Sequence, residues 1–97
     1  MKLRFSPQAT QDLTEIAEYI RAENPTASER VRASILESLQ NLVAFPRIGR
    51  RQSVDGVRKL VTRRFGYLVY YSINEAAAEI VVLTIRHSAQ ARPIDDI

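Results

Sequence analysis

The sequence has 97 residues, 45% of them hydrophobic, with no cysteine and a formal net charge of +3 at pH 7. That length holds one domain rather than two, and the missing cysteines exclude a disulfide framework, a Cys-based zinc site and a thiol nucleophile. No apolar run approaches the roughly 20 residues that cross a bilayer, and no signal-peptide core opens the chain, so a soluble cytoplasmic protein with no membrane partner is expected.

"KLRF" at 2–5 alternates Lys2 and Arg4 with Leu3 and Phe5, the period of a half-buried strand. "SPQA" then gives a helix start, with Ser6 as N-cap and Pro7 in the first turn, where its missing N–H costs nothing. Ala9, Leu13, Ile16, Ala17 and Ile20 make one apolar stripe, while Asp12, Glu15, Glu18 and Arg21 fall on the other side. The helix should end near Glu23, because the residue before a proline avoids the α region. "ENPTA" repeats the start signal with Asn24 and Pro25. A second stripe follows in Ala27, Val31, Ile35, Leu39 and Leu42, widened by Leu36 and Val43, and Phe45-Pro46 closes it. The two helices form a hairpin whose apolar faces need a surface to cover.

"RIGRRQSVDG" at 47–56 has no apolar period and reads as a loop. Val57–Thr62, Leu68–Asn74 and Glu79–His87 have strand length and strand composition, with turns at Gly66 and "NEAAAE". Residues 1–97 therefore form a single domain of the α+β class, ordered β-α-α-β-β-β, with the helical hairpin on one face of an antiparallel sheet. The stretch from about 88 to 97 reads as a loose tail. Both faces of the last two strands are apolar: Val69, Tyr71 and Ile73 oppose Leu68 and Tyr70, and Val81, Leu83 and Ile85 oppose Ile80 and Val82. Two helices cover one face, so the other is sealed by a partner, by loops or by the tail.

Charge is uneven along the chain. Residues 1–45 carry five Lys/Arg against six Asp/Glu, whereas 46–97 carry nine against five. From Pro46 to Ile73, seven cations accompany the single Asp55. Such a field suits an anionic partner, and a merely solvated basic face is the alternative.

Chemistry has little support. His87 is the only histidine, and no carboxylate pair sits at ligand spacing on an inward stripe, so neither a metal nor a cofactor is implied. Neither helix has a basic face for a DNA groove, and Phe65, Tyr67 and Tyr70 make no regular stacking row. Metal-independent RNA cleavage would need a base, an acid and a cation at the phosphorane. His87, Arg86 and Arg63 are the residues available for it, with Arg58 and Arg64 as further phosphate contacts. In an extended strand, however, Arg86 and His87 point to opposite faces.

"LRFSPQATQDLTEIAEYI", "NPTASERV", "LVAFPRIGRR", "VDGVRKLVTRRFGYLVYY" and "IVVLTIRH", in this order and spacing, resemble the RelE/ParE superfamily of bacterial type II toxins from about Leu3 to His87. The resemblance implies the same two-helix, sheet-based fold and a cognate antitoxin that wraps the toxin in a hetero-oligomer. RelE-like members cut mRNA on the ribosome, whereas ParE-like members poison DNA gyrase without cutting. RelE-type enzymes carry an arginine after the tyrosine of a "GxYR" strand start, where this chain has Leu68 after Tyr67. Their closing tyrosine is absent after Arg86-His87-Ser88, and a glutamate/histidine subgroup would need a glutamate where 46–73 offers only Asp55. "FPRIGRR", "RRFGYLVYY" and a histidine ending the last strand are similar to the ParE-like branch.

The resulting expectation is a ParE-like toxin that inhibits gyrase by protein binding, restrains growth and is neutralised by a ParD-like antitoxin. An mRNA endonuclease acting on the ribosome is the alternative, and an inactive remnant the third reading. Residues expected to contact antitoxin or target are Arg47, Arg50, Arg51, Arg58, Arg63, Arg64, Leu68, Tyr70, Arg86 and Arg92.

Overall fold

A computed structural model describes residues 1–90. The chain runs β1 (Lys2–Phe5), α1 (Pro7–Glu23), α2 (Pro25–Ala44), β2 (Arg50–Arg51), β3 (Val57–Val61), β4 (Tyr67–Asn74) and β5 (Glu79–His87), ending in a 3-10 turn (Ser88–Gln90). The sheet order is β1-β5-β4-β3-β2. The expected α+β class and element order hold. The meander β3–β4–β5 is antiparallel, but β1 joins β5 in parallel, pairing Lys2 with Glu79 and Phe5 with Val82, so the sheet is mixed. The loop at 47–56 contributes the two-residue strand β2, which pairs with Arg58 and Lys59.

Both helix starts are capped as the sequence implies. Ser6 Oγ accepts from Ala9 N at 3.0 Å. Asn24 closes one helix and opens the next: its N–H donates to Ile20 O at 2.7 Å, and its Oδ1 accepts from Ala27 N at 3.1 Å. Serving two orphan ends with one residue keeps the hairpin turn short. The core joins Ala9, Val31, Ile35, Leu39 and Leu42 of the helices to Val69, Tyr71, Ile80, Val82 and Ile85 of the sheet. The second helix departs from its expected stripe, because Ser34 and Ser38 are buried while Leu36 and Val43 are exposed.

A β-bulge explains how β5 buries residues of both parities. Tyr71 pairs with Val82 and Tyr70 with Thr84, which leaves Leu83 as the extra residue. Before the bulge, Ile80 and Val82 face the helices; after it, Ile85 does, and Leu83 packs in the smaller cluster on the other face. The set Val81, Leu83 and Ile85 expected from strict alternation is therefore split. Alternation counts residues and cannot see an inserted one.

The bulge lies where β1 ends and the neighbouring edge of β5 would be bare. The start of α1 covers it. Ser6 N donates to Val82 O at 2.9 Å and Ser6 Oγ to Leu83 O at 2.7 Å. Asp12, expected on the solvated side, instead accepts from Thr84 Oγ1 at 2.6 Å and from Ile85 N at 3.0 Å. Asp12→Ala should cost about 2–3 kcal/mol in urea unfolding with an unchanged m-value, because it strands a strand N–H. Asp12→Asn, which keeps one acceptor, should cost less. Equal stability of Asp12→Ala and wild type would show that the edge is satisfied by other groups.

Candidate interaction surfaces

The sheet register sorts the cations by face. Arg50 pairs with Lys59 and Arg51 with Arg58 across β2 and β3, so like charges stand side by side at the sheet edge. That arrangement is unfavourable in isolation and favourable toward an anionic partner. Lys59 and Arg50 share the face turned away from the helices with Tyr70 and Leu68, as does Arg86.

Of the covers expected for the second apolar face, a loop is the one found over Leu68 and Tyr70. They are 7% and 4% exposed and pack with Val57, Val54 and Leu83. Val54 belongs to the 52–56 loop, which folds over this face, and the Arg86 guanidinium lies 5.8 Å from the Tyr70 ring centre. The chain's own groups therefore cover these two side chains. Arg86 Nη1 is buried without a hydrogen-bond partner among the described residues.

Arg58 is committed to structure. Its Nη1 donates to Gly49 O at 2.8 Å and Arg47 O at 3.2 Å. Tyr71 completes the clamp from the core side, donating to Pro46 O at 2.7 Å and accepting from Gly49 N at 2.8 Å. Burial raises the Tyr71 phenol above its usual 10.0, with the Gly49 amide and the Arg58 charge pulling the other way. Together they fix the loop that carries Arg47, Arg50 and Arg51, of which Arg47 also pairs with Glu75. Arg50 and Arg51 are exposed.

The residues offered for RNA chemistry do not converge as a set. His87 sits edge-on to Tyr67, ring centres 5.1 Å apart, and its Nδ1 accepts from Ala89 N at 3.1 Å. Arg86 leaves the strand on the opposite face, over Tyr70. Arg63 Nη1 reaches toward Glu37 Oε1 at 3.6 Å. Arg64 is exposed in the β3–β4 turn, and Arg92 lies outside the described residues, as does the tail beyond Gln90. Ser88–Gln90, expected as the start of that tail, form a 3-10 turn whose Ser88 N–H donates to Gly66 O at 2.7 Å.

The sequence reading missed a groove between the helices. Phe5, Leu13, Ile16, Ala17, Ile20, Val31, Ile35, Leu36 and Leu39 line an apolar cavity of about 510 Å³, with Arg21, Glu29 and Arg32 also among its walls. The signal was present in Leu36, which widens the apolar stripe of α2 beyond what the sheet can cover.

Compared with known proteins, residues 3–92 match the family model described as the ParE toxin of type II toxin-antitoxin systems. The chain belongs to the ParE toxin family. It is 30% identical over 92 residues to Y4kP of Sinorhizobium fredii, covering 95% of this chain and 93% of that one. It is 29% identical over 92 residues to the toxin RelE3 of Caulobacter vibrioides, with 93% and 97% covered. Its fold is similar to that in the chromosomal ParDE toxin-antitoxin structure from P. aeruginosa, with a TM-score of 0.77 and 27% identity over 90% of this chain and 95% of that one. The isolated E. coli RelE toxin shares the fold at a TM-score of 0.63 and 16% identity, covering 94% of this chain and 87% of that chain. The chain shares with these neighbours a scaffold of two helices packed on a sheet.

Proposed function

We propose that this chain is the toxin of a cytoplasmic toxin-antitoxin pair, restraining growth by binding DNA gyrase and held inactive in a hetero-oligomer by a ParD-like antitoxin. The observation that carries the antitoxin half is the apolar groove between α1 and α2, which is the shape an amphipathic helix fills. Its two arginines and one glutamate favour a partner helix with an acidic polar face. Relatives solved as toxin-antitoxin complexes support the same reading. The opposed cations of β2 and β3, exposed at Arg50 and Arg51, suit anionic groups of the same partner.

Gyrase is favoured over the ribosome by the ParE family match and by the way the candidate catalytic groups are dispersed. Arg86 and His87 occupy opposite faces, and the hydrogen bond of His87 goes to a backbone amide. Grip suits this surface better than bond breaking. Purified toxin added to a gyrase supercoiling reaction should inhibit it, while labelled mRNA in a translation reaction stays intact. Toxicity of His87→Ala should equal wild type. Cuts in mRNA at codon positions, with gyrase untouched, would replace this reading by the RelE-like one, which the relation to RelE3 favours. Failure to affect either system would point to an inactive remnant.

A further inference from the structure

A second cavity, of about 280 Å³, opens between α2 and the β3–β4 turn. Arg30, Arg63 and Arg64 line it together with Ser34, Glu37 and Phe65. Three arginines and one glutamate thus line one small space. Among the described residues only Arg63 has that carboxylate in reach, at 3.6 Å from Glu37. Ser34 is 9% exposed, and its Oγ is buried with no hydrogen-bond partner among the described residues. A buried hydroxyl without a partner, beside a surplus of cationic donors, is a site short of an acceptor.

The turn that supplies two of the arginines is held in place. Thr62 Oγ1 donates to Arg64 O at 2.7 Å and accepts from Tyr67 N at 3.1 Å. Phe65 holds a φ of 68°, a left-handed conformation that a bulky residue keeps only when its surroundings enforce it. We propose that this pocket binds a phosphate-class oxyanion. A carboxylate offers two acceptor oxygens and is satisfied by one guanidinium fork; a tetrahedral oxyanion can meet several forks and a hydroxyl at once. The site is separate from the helix groove, and its existence does not depend on whether gyrase is the target.

The full-length chain is titrated with inorganic phosphate at constant ionic strength, with chloride as the matched control, and followed by amide NMR. Saturable shifts should concentrate at residues 30–37 and 62–66. Arg30→Ala and Arg64→Ala should each weaken binding by at least about tenfold, since each removes a charge-assisted donor. Arg32→Ala removes the same charge from α2 outside this pocket and should change affinity less than about twofold. Glu37→Gln should tighten binding several-fold by freeing Arg63. A short single-stranded oligonucleotide that binds tighter than phosphate assigns the site to a nucleic-acid phosphate; weaker binding assigns it to a small free phosphate. Shifts that never saturate, or an Arg32→Ala loss equal to that of Arg64→Ala, would overturn the proposal.

Discussion

A toxin carrying Leu36→Glu should fold as wild type yet escape its antitoxin. Leu36 is 43% exposed on the wall of the helix groove, so a charge there meets water in the free protein. Once an amphipathic helix seats in the groove, the same carboxylate is trapped against apolar side chains without a partner. The loss should be about 100-fold in Kd, roughly 2.7 kcal/mol, as for a central contact rather than a rim one. An acidic partner face would add repulsion and carry the loss further. Calorimetry would report the affinity, and co-expression would report growth arrest that the antitoxin no longer relieves. Tyr19→Glu is the matched control, because Tyr19 is 70% exposed and does not line the groove; its affinity should change less than about twofold. If Leu36→Glu binds as tightly as wild type, the antitoxin docks elsewhere, and the sheet-edge cations become the better candidate.

The fold was largely readable because its signals are local. Ser6-Pro7 and Asn24-Pro25 announce both helices through capping chemistry that depends on neighbouring residues alone. The strands carry their β-branched and aromatic composition openly. What was hidden depends on contacts far apart in the chain. Asp12 looks solvent-facing by its position in the helix, yet it caps Ile85 across a sequence separation of 73. The Leu83 bulge shifts parity without any glycine or proline to mark it. Ser34 and Ser38 sit inside, against composition, because Ser38 Oγ donates to Ser34 O at 3.1 Å within the helix and so satisfies one of the two hydroxyls.

The surface was readable in charge but not in role. The count of cations between 46 and 73 gave the charge of that stretch, whereas the division of labour within it needed geometry. Arg58 is spent on two carbonyls of the 46–51 loop, and Arg86 on the face of Tyr70. Arg50 and Arg51 are exposed. The apolar signal left the cover open for a related reason: Leu68 and Tyr70 are as greasy as a binding site, but Val54 folds back over them from a loop that has no apolar period of its own.

The loop clamp gives the largest expected loss of stability from a single added methyl group. A Cβ at Gly49 would lie 2.5 Å from Tyr71 Oη, 2.6 Å from its Cε1 and 2.9 Å from its Cζ, all inside van der Waals contact. Tyr71 cannot retreat, because it is fully buried between the helices and the sheet. Gly49→Ala should therefore combine overpacking with loss of the Gly49–Tyr71 hydrogen bond, about 3–5 kcal/mol in all. For a domain whose total stability is about 5–15 kcal/mol, that approaches unfolding at growth temperature. Tyr71→Phe removes only the hydroxyl and should cost about 1–3 kcal/mol, leaving Gly49 N and Pro46 O without their partner. The two changes share a contact, so they should not add: the double variant should be about 1 kcal/mol more stable than the sum of the singles predicts. Urea unfolding of the four proteins measures that coupling directly. A Gly49→Ala protein as stable as wild type, or strictly additive losses, would mean that the 46–51 loop is not pinned by Tyr71. Its arginines would then owe their placement to the Arg58 hydrogen bonds and the β2–β3 pairing.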